Sequence, residues 1–346
     1  MNPGFIARFR PLGPWRLGPD SGARTRVERV LHSDRLYSAV TAAMAQLGWL
    51  EEWLEAVFRN PAGPAVRFTS VFPFQDDTLF VVPPRHLWPP PASLKVRWRG
   101  AHFVPLAVVA ALFQDNPPDE NRWATDGQSG CLIPAEQPRG PFQVAVRSSA
   151  AVDRLSGNVA VHSAACLEFR EGAGMWFAAE FAGQEAQAVW RDRLVAALRL
   201  LADSGFGGRR SSGWGCSQMQ EIREGSLPDL LLPRCAAAPP PPEGELVPAP
   251  PETAYWLLSL LSPAPDDEID WERGDYSVLN RSGRVESPAG WGEMKRSSRM
   301  IAEGSVLCAP AGVRGRALDV APDGYAHPVY CAGYAFALAV PWRVST

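Results

Sequence analysis

An eleven-residue segment with five glycines restricts the fold of this chain more than any other feature. It consists of Gly205-Phe206-Gly207, five further residues, and Gly213-Trp214-Gly215. Glycine accepts positive φ angles and lets another backbone approach closely, and successive amides in such a loop form a nest for anionic oxygens. Arg209 and Arg210, at its centre, carry the charge that a phosphate needs. The segment therefore predicts a tight loop that faces phosphate.

This segment differs from the common nucleotide-binding loops. It lacks the Gly-Lys-Ser/Thr ending of a Walker loop, and Arg210 stands where a dinucleotide-binding loop counted from Gly205 needs its last glycine. It also follows a predicted helix instead of opening one. A flexible connector is the structural alternative, but it would not explain the two glycine-aromatic-glycine flanks and the arginine pair. We therefore favour a ligand-binding role.

Hydrophobic periodicity places helices and strands around this loop. It predicts a strand over 5–12, a helix after the N-cap Ser33, hairpins over 66–82 and over 165–182, a helix over 184–204, and a strand over 216–222. If residues 50–160 are set aside as an insertion, the order is strand, helix, strand, strand, helix, strand. That order is the ferredoxin-like, or RRM-like, plan.

A proline-rich run marks a domain boundary. Residues 236–251 contain seven prolines, a composition that favours an extended polyproline II spacer, although a ligand for a proline-reading domain is the alternative. Beyond it, strands are predicted over 255–262, 275–280, 304–309 and 333–340. We therefore expect an α+β protein with two ferredoxin-like (RRM-like) domains. The first, over 1–235, carries the insertion and the glycine-rich loop, and the second, over 252–346, is a degenerate copy.

The charge of the chain excludes bulk binding to nucleic acid or membrane. There are 34 Lys+Arg against 37 Asp+Glu, a net charge of −3, whereas nonspecific binding scales with the number of phosphates neutralised. The bases are concentrated locally: residues 1–35, 191–216 and 273–316 are each net positive. Acids are concentrated elsewhere, five of them within residues 266–272. This distribution suits a defined RNA track.

Cysteine spacing and hydropathy limit the metal sites, the disulfides and the cell compartment that the sequence can predict. The six cysteines include no C-x-x-C pair, so the sequence predicts neither a zinc site nor a disulfide framework. Apolar stretches are shorter than the roughly 20 residues that span a bilayer, and the first ten residues lack a signal-peptide core. We expect a cytoplasmic protein with no metal, no cofactor and no membrane partner.

Motifs along the whole chain resemble one known family. The glycine-rich loop between the second helix and the last strand of a ferredoxin-like fold resembles the signature of the RAMP superfamily of CRISPR proteins. The order of the other motifs is similar to that of the fourth Csm subunit of type III-A effector complexes. Those motifs are His32 to Ala39, Val71 to Phe74, Val152 to Gly157, Tyr255 to Leu260, Glu303 to Val306, and His327 to Phe336.

The resemblance implies a non-catalytic RNA-holding subunit. Members of this family hold the 5′ tag of the CRISPR RNA (crRNA), and they dock the large polymerase-like CRISPR subunit and the first backbone RAMP subunit of the Csm complex. The linker and the polar stretch 114–143 depart from the family, so no function is carried over to them.

The candidate RNA-binding residues follow from the loop chemistry and from the family motifs. For Ser33, helix capping is the alternative, and for Arg147 and Arg154 it is an Asp-Arg surface pair. Lys295, Arg296 and Arg299 are more typical of a solvated face or a protein interface than of an RNA site. The predicted RNA-binding set is Gly205, Phe206, Gly207, Gly208, Arg209, Arg210, Ser211, Ser212, Gly213, Trp214, His32, Ser33, Arg147 and Arg154.

Two other functions remain open from the sequence. One is a RAMP endoribonuclease that processes CRISPR RNA with His32 as the general base, because in-line attack by a 2′-hydroxyl needs a base and an acid. The other is an RRM-like module for other RNA, or a purely structural subunit. Arg209 and Arg210 in the loop argue against the purely structural role.

Overall fold

The computed structural model describes residues 2–18, 22–90, 98–220, 222–227, 229–232, 253–287 and 290–342. The predicted linker over 236–251 falls outside these ranges, so the linker and the domain boundaries beside it stay predictions.

The first part of the chain contains twelve described strands and four described α-helices. In chain order they are β1 (Asn2–Pro11), α1 (Ser33–Gln46), α2 (Leu50–Leu54), β2 (Val66–Phe68), β3 (Phe72–Gln75), β4 (Thr78–Val81), β5 (Val104–Pro105), α3 (Leu106–Leu112), β6 (Trp123–Thr125), β7 (Leu132–Pro134), β8 (Phe142–Val152), β9 (Val159–Phe169), β10 (Ala173–Phe181), α4 (Gln184–Ser204), β11 (Ser217–Met219) and β12 (Arg223–Leu227). A π-helical turn (Glu55–Arg59) continues α2, and a 3-10 turn (Arg210–Ser212) precedes β11.

The second part, over residues 253–287 and 290–342, is described entirely as strands and loops. Its strands are β13 (Thr253–Leu257), β14 (Asp270–Asp275), β15 (Val278–Arg281), β16 (Arg284–Ser287), β17 (Gly290–Met294), β18 (Ser298–Ile301), β19 (Val306–Cys308), β20 (Gly315–Asp319), β21 (Tyr330–Tyr334) and β22 (Ala337–Pro341). The predicted strands over 255–262 and 304–309 each overlap one of these, whereas 275–280 overlaps β14 and β15, and 333–340 overlaps β21 and β22.

The main sheet has the order β11-β1-β10-β3-β4-β5, and β12 also pairs with β1 while β2 also pairs with β10. β1 lies centrally because Phe5, Ile6 and Phe9 are all buried, so both of its faces are covered. The predicted helix over 184–204 is confirmed as α4, and its apolar stripe from Trp190 to Leu201 is buried. The predicted hairpin that turns at Asp76 and Asp77 is confirmed as β3 and β4.

The predicted hairpin over 165–182 is wrong. β9 pairs with β8 over eleven residues, whereas β10 pairs with β1, β2 and β3. The two segments are adjacent in sequence and joined by a short turn, but apolar side chains cover β10 on both faces, which gives it a central position. The second strand of the predicted plan is therefore β2-β3. The excursion, which here means the residues between the second and third strands of that plan, runs over 76–172 instead of 50–160, and its strands β4 and β5 extend the sheet beyond β3.

The second part forms a four-stranded sheet of order β14-β19-β13-β22, antiparallel throughout. When its strands are numbered along the chain, the spatial order is second, third, first, fourth. In the main sheet, β3, β10, β1 and β11 have the same order. The β20–β21 hairpin of the second part stands where α4 stands in the first, whereas residues 258–269, in the place of α1, contain neither a helix nor a hairpin.

One continuous core joins the two parts. Buried Phe5, Tyr37 and Val57 of the first part belong to the same cluster as Trp256 and Tyr334 of the second. The Tyr334 hydroxyl donates a hydrogen bond of 2.6 Å to the carbonyl of Val57. The two sheets are therefore packed against each other through apolar side chains as well as polar ones.

Candidate nucleic-acid interface

The glycine-rich loop is closed by backbone contacts that only glycine permits. Gly205 and Gly215 have φ angles of 89° and 82°, and a Cβ on Gly215 would collide with the backbone of Phe206. Phe206 donates its N–H to the Gly215 carbonyl at 3.1 Å, and Gly208 donates to the Arg16 carbonyl at 2.9 Å. The loop between α4 and β11 is thus rigidly attached at its base, and its tip projects outward.

The two aromatic residues of the loop are packing residues. Phe206 is 2% exposed and stacks on Trp15 with ring centroids 5.1 Å apart. Trp214 is 9% exposed and packs against Ala164 and Cys166 of β9. Their predicted role as stacking platforms for RNA bases does not fit this burial, because a base needs an open ring face.

The tip presents cations. Arg210, Ser211, Ser212 and Gly213 are exposed, and Arg209, in the left-handed region with a φ of 62°, is partly exposed. The Arg209 guanidinium carbon lies 5.3 Å from the centroid of the Trp214 ring, and its Nη1 donates to Ser149 Oγ at 3.3 Å. A cation over an aromatic face is held in place without being neutralised. Arg209 is therefore pre-positioned and keeps its charge.

Arg16 adds a third guanidinium beneath the tip, although no sequence motif marks this residue. Its side chain is buried and donates to three backbone carbonyls, those of Ala23, Arg24 and Ala165. Burial, and after it the charges of Arg209 and Arg24, lower the pKa of Arg16. The repulsion indicates that positive charge is concentrated here in the absence of an anion.

The β8–β9 hairpin stands beside the loop. Its outer half is exposed, including Val146 and Val161, and Leu155 at the turn is fully exposed. Arg147 pairs with Glu168 across the strands at 2.6 Å, and this hydrogen bond lowers the pKa of Glu168. Arg154 lies in the turn, where the carboxylate of Asp153 accepts hydrogen bonds from Leu155 N and Ser156 Oγ. Ser149, between the two arginines, is the contact with the loop.

His32 and Ser33 lie apart from this surface, in the contact between the two parts of the chain. Ser33 is the first residue of α1, so His32 occupies the N-cap position and the predicted Ser33 cap is wrong. Ser33 Oγ accepts a hydrogen bond of 3.0 Å from Leu260 N instead. Ser33 therefore joins α1 to the second part of the chain. Its side chain is buried, with 1% of the residue exposed.

His32 is half of a buried charged pair. Its Nδ1 lies 2.8 Å from Oε1 of Glu303, and that carboxylate also accepts a hydrogen bond from Ser70 Oγ. Burial disfavours protonated His32, but the charge of Glu303 and its hydrogen bond outweigh burial and raise the pKa of His32. The same pair lowers the pKa of Glu303 against the effect of its own burial. Because His32 is 9% exposed and its Nδ1 is paired with Glu303, little of its imidazole is accessible to an RNA.

Two searches of the described ranges complete the description of the site. In those ranges, His, Cys, Asp and Glu side chains form no group of three or more that could hold a metal ion. No helix of the described residues is both long and apolar enough to cross a membrane.

Solved structures show which fold this is. A chain of the Csm3-Csm4 subcomplex in the type III-A CRISPR-Cas interference complex matches with a TM-score of 0.62 and 14% identity, covering 98% of this chain and 99% of that one. A chain of a Csm1-Csm4 cassette in complex with cA4 matches with a TM-score of 0.55 and 17% identity, covering 99% of both. This chain therefore shares the fold of a chain in each of these two assemblies.

A family profile matches the C-terminal part of the chain. Residues 251–340 match the family profile of the CRISPR Csm4 C-terminal domain. Comparison with curated proteins gave no match. The C-terminal part of the chain is thus similar to that domain, which agrees with the motif order of the sequence.

Proposed function

We propose that this chain is the RNA-holding subunit of a type III-A CRISPR interference complex and that its glycine-rich loop grips the backbone of the crRNA 5′ tag. The observation that carries the proposal is the loop tip, where Arg209 and Arg210 project beside an exposed hairpin. Arg209 is fixed over Trp214 and bonded to Ser149, so binding RNA costs it little conformational entropy.

The same proposal assigns the partners. Solved relatives are described in complexes with Csm1 and with Csm3. We propose that this chain likewise joins the large polymerase-like subunit to the first backbone RAMP subunit, and that it acts with them in the cytoplasm. Co-purification of the three proteins tests this assignment, and failure to co-purify at low salt would contradict it.

We also propose that both parts are ferredoxin-like domains. The support is the shared strand order, which in each sheet reads second, third, first, fourth. In the second part, the β20–β21 hairpin stands between the third and fourth strands, where the first part has α4.

A non-catalytic role completes the proposal. The candidate base His32 is paired with Glu303 and lies in the contact between the two parts. Incubation of the purified chain with repeat RNA should leave the RNA intact. Cleavage that disappears in His32→Gln would overturn this assignment in favour of the endoribonuclease.

The loop is tested by the salt dependence of RNA binding. Arg209→Ala with Arg210→Ala should weaken binding of a tag-bearing RNA and lower the slope of log affinity against log salt by about one to two. Arg122→Ala with Arg139→Ala, two exposed arginines of the excursion, removes the same charge elsewhere and should leave the slope unchanged. Equal slopes in the two double variants would refute phosphate contact at the loop.

A further inference from the structure

A second basic site lies where α1 meets the hairpins of the second part. It is an open cleft of about 720 Å³, and its walls combine Arg35 of α1 with Arg281, Arg284, Lys295 and Arg296. Asp34 is the one acidic residue among the lining residues. Five cations against one anion make the cleft a strongly positive concavity, in a chain whose net charge is −3.

Two of these cations build the cleft. Arg281 donates to both carboxylate oxygens of Asp34, at 3.0 and 3.2 Å, and the pair is almost fully buried at the floor. Arg35 pairs with Glu28 at 2.6 Å. Because Asp34 and Arg281 come from different parts of the chain, the cleft exists only when the two parts are docked.

The other three cations keep their charge. Arg284 Nη1 donates to the carbonyl of Gly292, and Arg296 Nη2 donates to the carbonyl of Asp319 at 2.9 Å. These carbonyl acceptors orient the guanidinium groups without neutralising them. Among the side chains that the structure describes, which do not include that of Glu286, the ion pairs of this region involve Arg281 and Arg314 but not Arg284, Lys295 or Arg296. Such cations are suited to an anionic ligand.

The remaining lining residues favour a nucleotide over an acidic peptide. Tyr330 stacks on Phe58 with ring centroids 5.0 Å apart, which fixes its ring in the wall, and Met294 is 52% exposed at the rim. Aromatic and thioether surface beside cations accommodates a base next to its phosphate. A run of carboxylates would make no favourable contact with this apolar surface.

The cleft is also close to the glycine-rich loop. The Arg16 carbonyl accepts the Gly208 N–H of the loop, and Gly22, six residues further on, lines the cleft. Six residues span at most about 20 Å even when fully extended. One short strand of RNA can therefore reach both sites.

We infer that this cleft binds phosphates of the same single-stranded RNA that the glycine-rich loop grips, so that the RNA crosses from one part of the chain to the other. The inference rests on the proposed function for the identity of the RNA. It adds Arg284, Lys295 and Arg296 as phosphate-binding residues.

The test uses the full-length chain and a tag-bearing RNA oligonucleotide. Lys295→Ala with Arg296→Ala should weaken binding about tenfold and lower the salt slope by about one to two, because two phosphate contacts are lost. Arg299→Ala with Arg316→Ala removes the same charge from exposed positions outside the cleft and should leave the slope unchanged. Lys295→Arg with Arg296→Lys keeps the charge and should retain the slope, which separates loss of charge from misfolding.

The outcomes separate this inference from the proposed function. If only the Arg209 and Arg210 variant lowers the slope, the cleft inference fails and the loop stands. If only the Lys295 and Arg296 variant lowers it, the loop assignment fails and the cleft stands. If polyglutamate of matched charge displaces RNA from the wild type but not from the cleft variant, the cleft is a site for an acidic protein surface and the inference is overturned.

Discussion

The glycine-rich loop and the His32 contact both contain basic side chains, but those of the loop are open to solvent and that of His32 is buried against a carboxylate. At the loop, Arg209 and Arg210 stand at an exposed tip, and the nearest fixed partners of Arg209 are a hydroxyl and an aromatic ring. At the contact between the two parts, His32 faces the carboxylate of Glu303 in a site closed to solvent. Both regions were predicted to bind RNA, and burial separates them.

The two regions differ in whether a nearby carboxylate compensates the positive charge. A buried charge is stable only with a partner of opposite sign, so its charge is used within the fold. An exposed guanidinium over an aromatic ring keeps its charge for a ligand. The four predictions below test this distinction, from the largest expected effect to the smallest.

Glu303→Gln should destabilise the chain by about 3–5 kcal/mol, because it breaks a buried pair and removes the carboxylate that both His32 and Ser70 contact. Glu168→Gln, at the exposed pair with Arg147, should cost less than about 1 kcal/mol. Urea denaturation of both variants measures the two losses. Similar losses would mean that the His32 contact is not the buried structural pair described here.

Gly215→Ala should cost about 3 kcal/mol or more, because a positive φ costs roughly 1–2 kcal/mol for a residue with a Cβ and the added carbon also collides with Phe206. Gly213 has a similar φ of 75°, but a Cβ added there has no atom within 4 Å. Gly213→Ala should therefore cost only the roughly 1–2 kcal/mol of the positive φ. The midpoint of urea unfolding distinguishes the two. If Gly213→Ala costs as much as Gly215→Ala, the loop base is not tightly packed.

The His32 contact should also make stability depend on pH. Since the pKa of His32 is raised on folding, its contribution is complete below the unfolded value of about 6.5 and is lost as pH rises through the folded value. The melting temperature should therefore fall above about pH 6.5, and His32→Gln should flatten that fall. Scanning fluorimetry across buffers measures it, and an unchanged slope in the variant would contradict the assignment.

Arg154→Ala should have the smallest effect, weakening RNA binding by about two- to threefold if the RNA-binding surface extends to the hairpin turn. Arg147→Ala should change binding less, because Glu168 already neutralises that guanidinium. Fluorescence anisotropy at fixed salt compares them. A larger loss for Arg147 would place the RNA at the base of the hairpin instead of its turn.

Local patterns predicted the parts of the fold that depend on short-range physics. The stripe from Trp190 to Leu201 specified α4 because helical periodicity is local, and the glycine frame specified a closed loop after it. The hairpin over 165–182 was mispredicted because strand partners depend on which faces are covered, and β10 is covered on both. Arg16 could not be recognised, since its proximity to Arg209 arises only after folding.

The sequence by itself determined the order of the motifs, the glycine-rich loop and the paired arginines at its tip, because these are properties of residue type and spacing. Only the tertiary structure decided that Phe206, Trp214, His32 and Ser33 serve packing, and that Lys295 and Arg296 join Arg281 in one cleft. The reason is that charge and aromaticity belong to a residue, whereas burial and a counter-charge are set by distant segments that folding brings together.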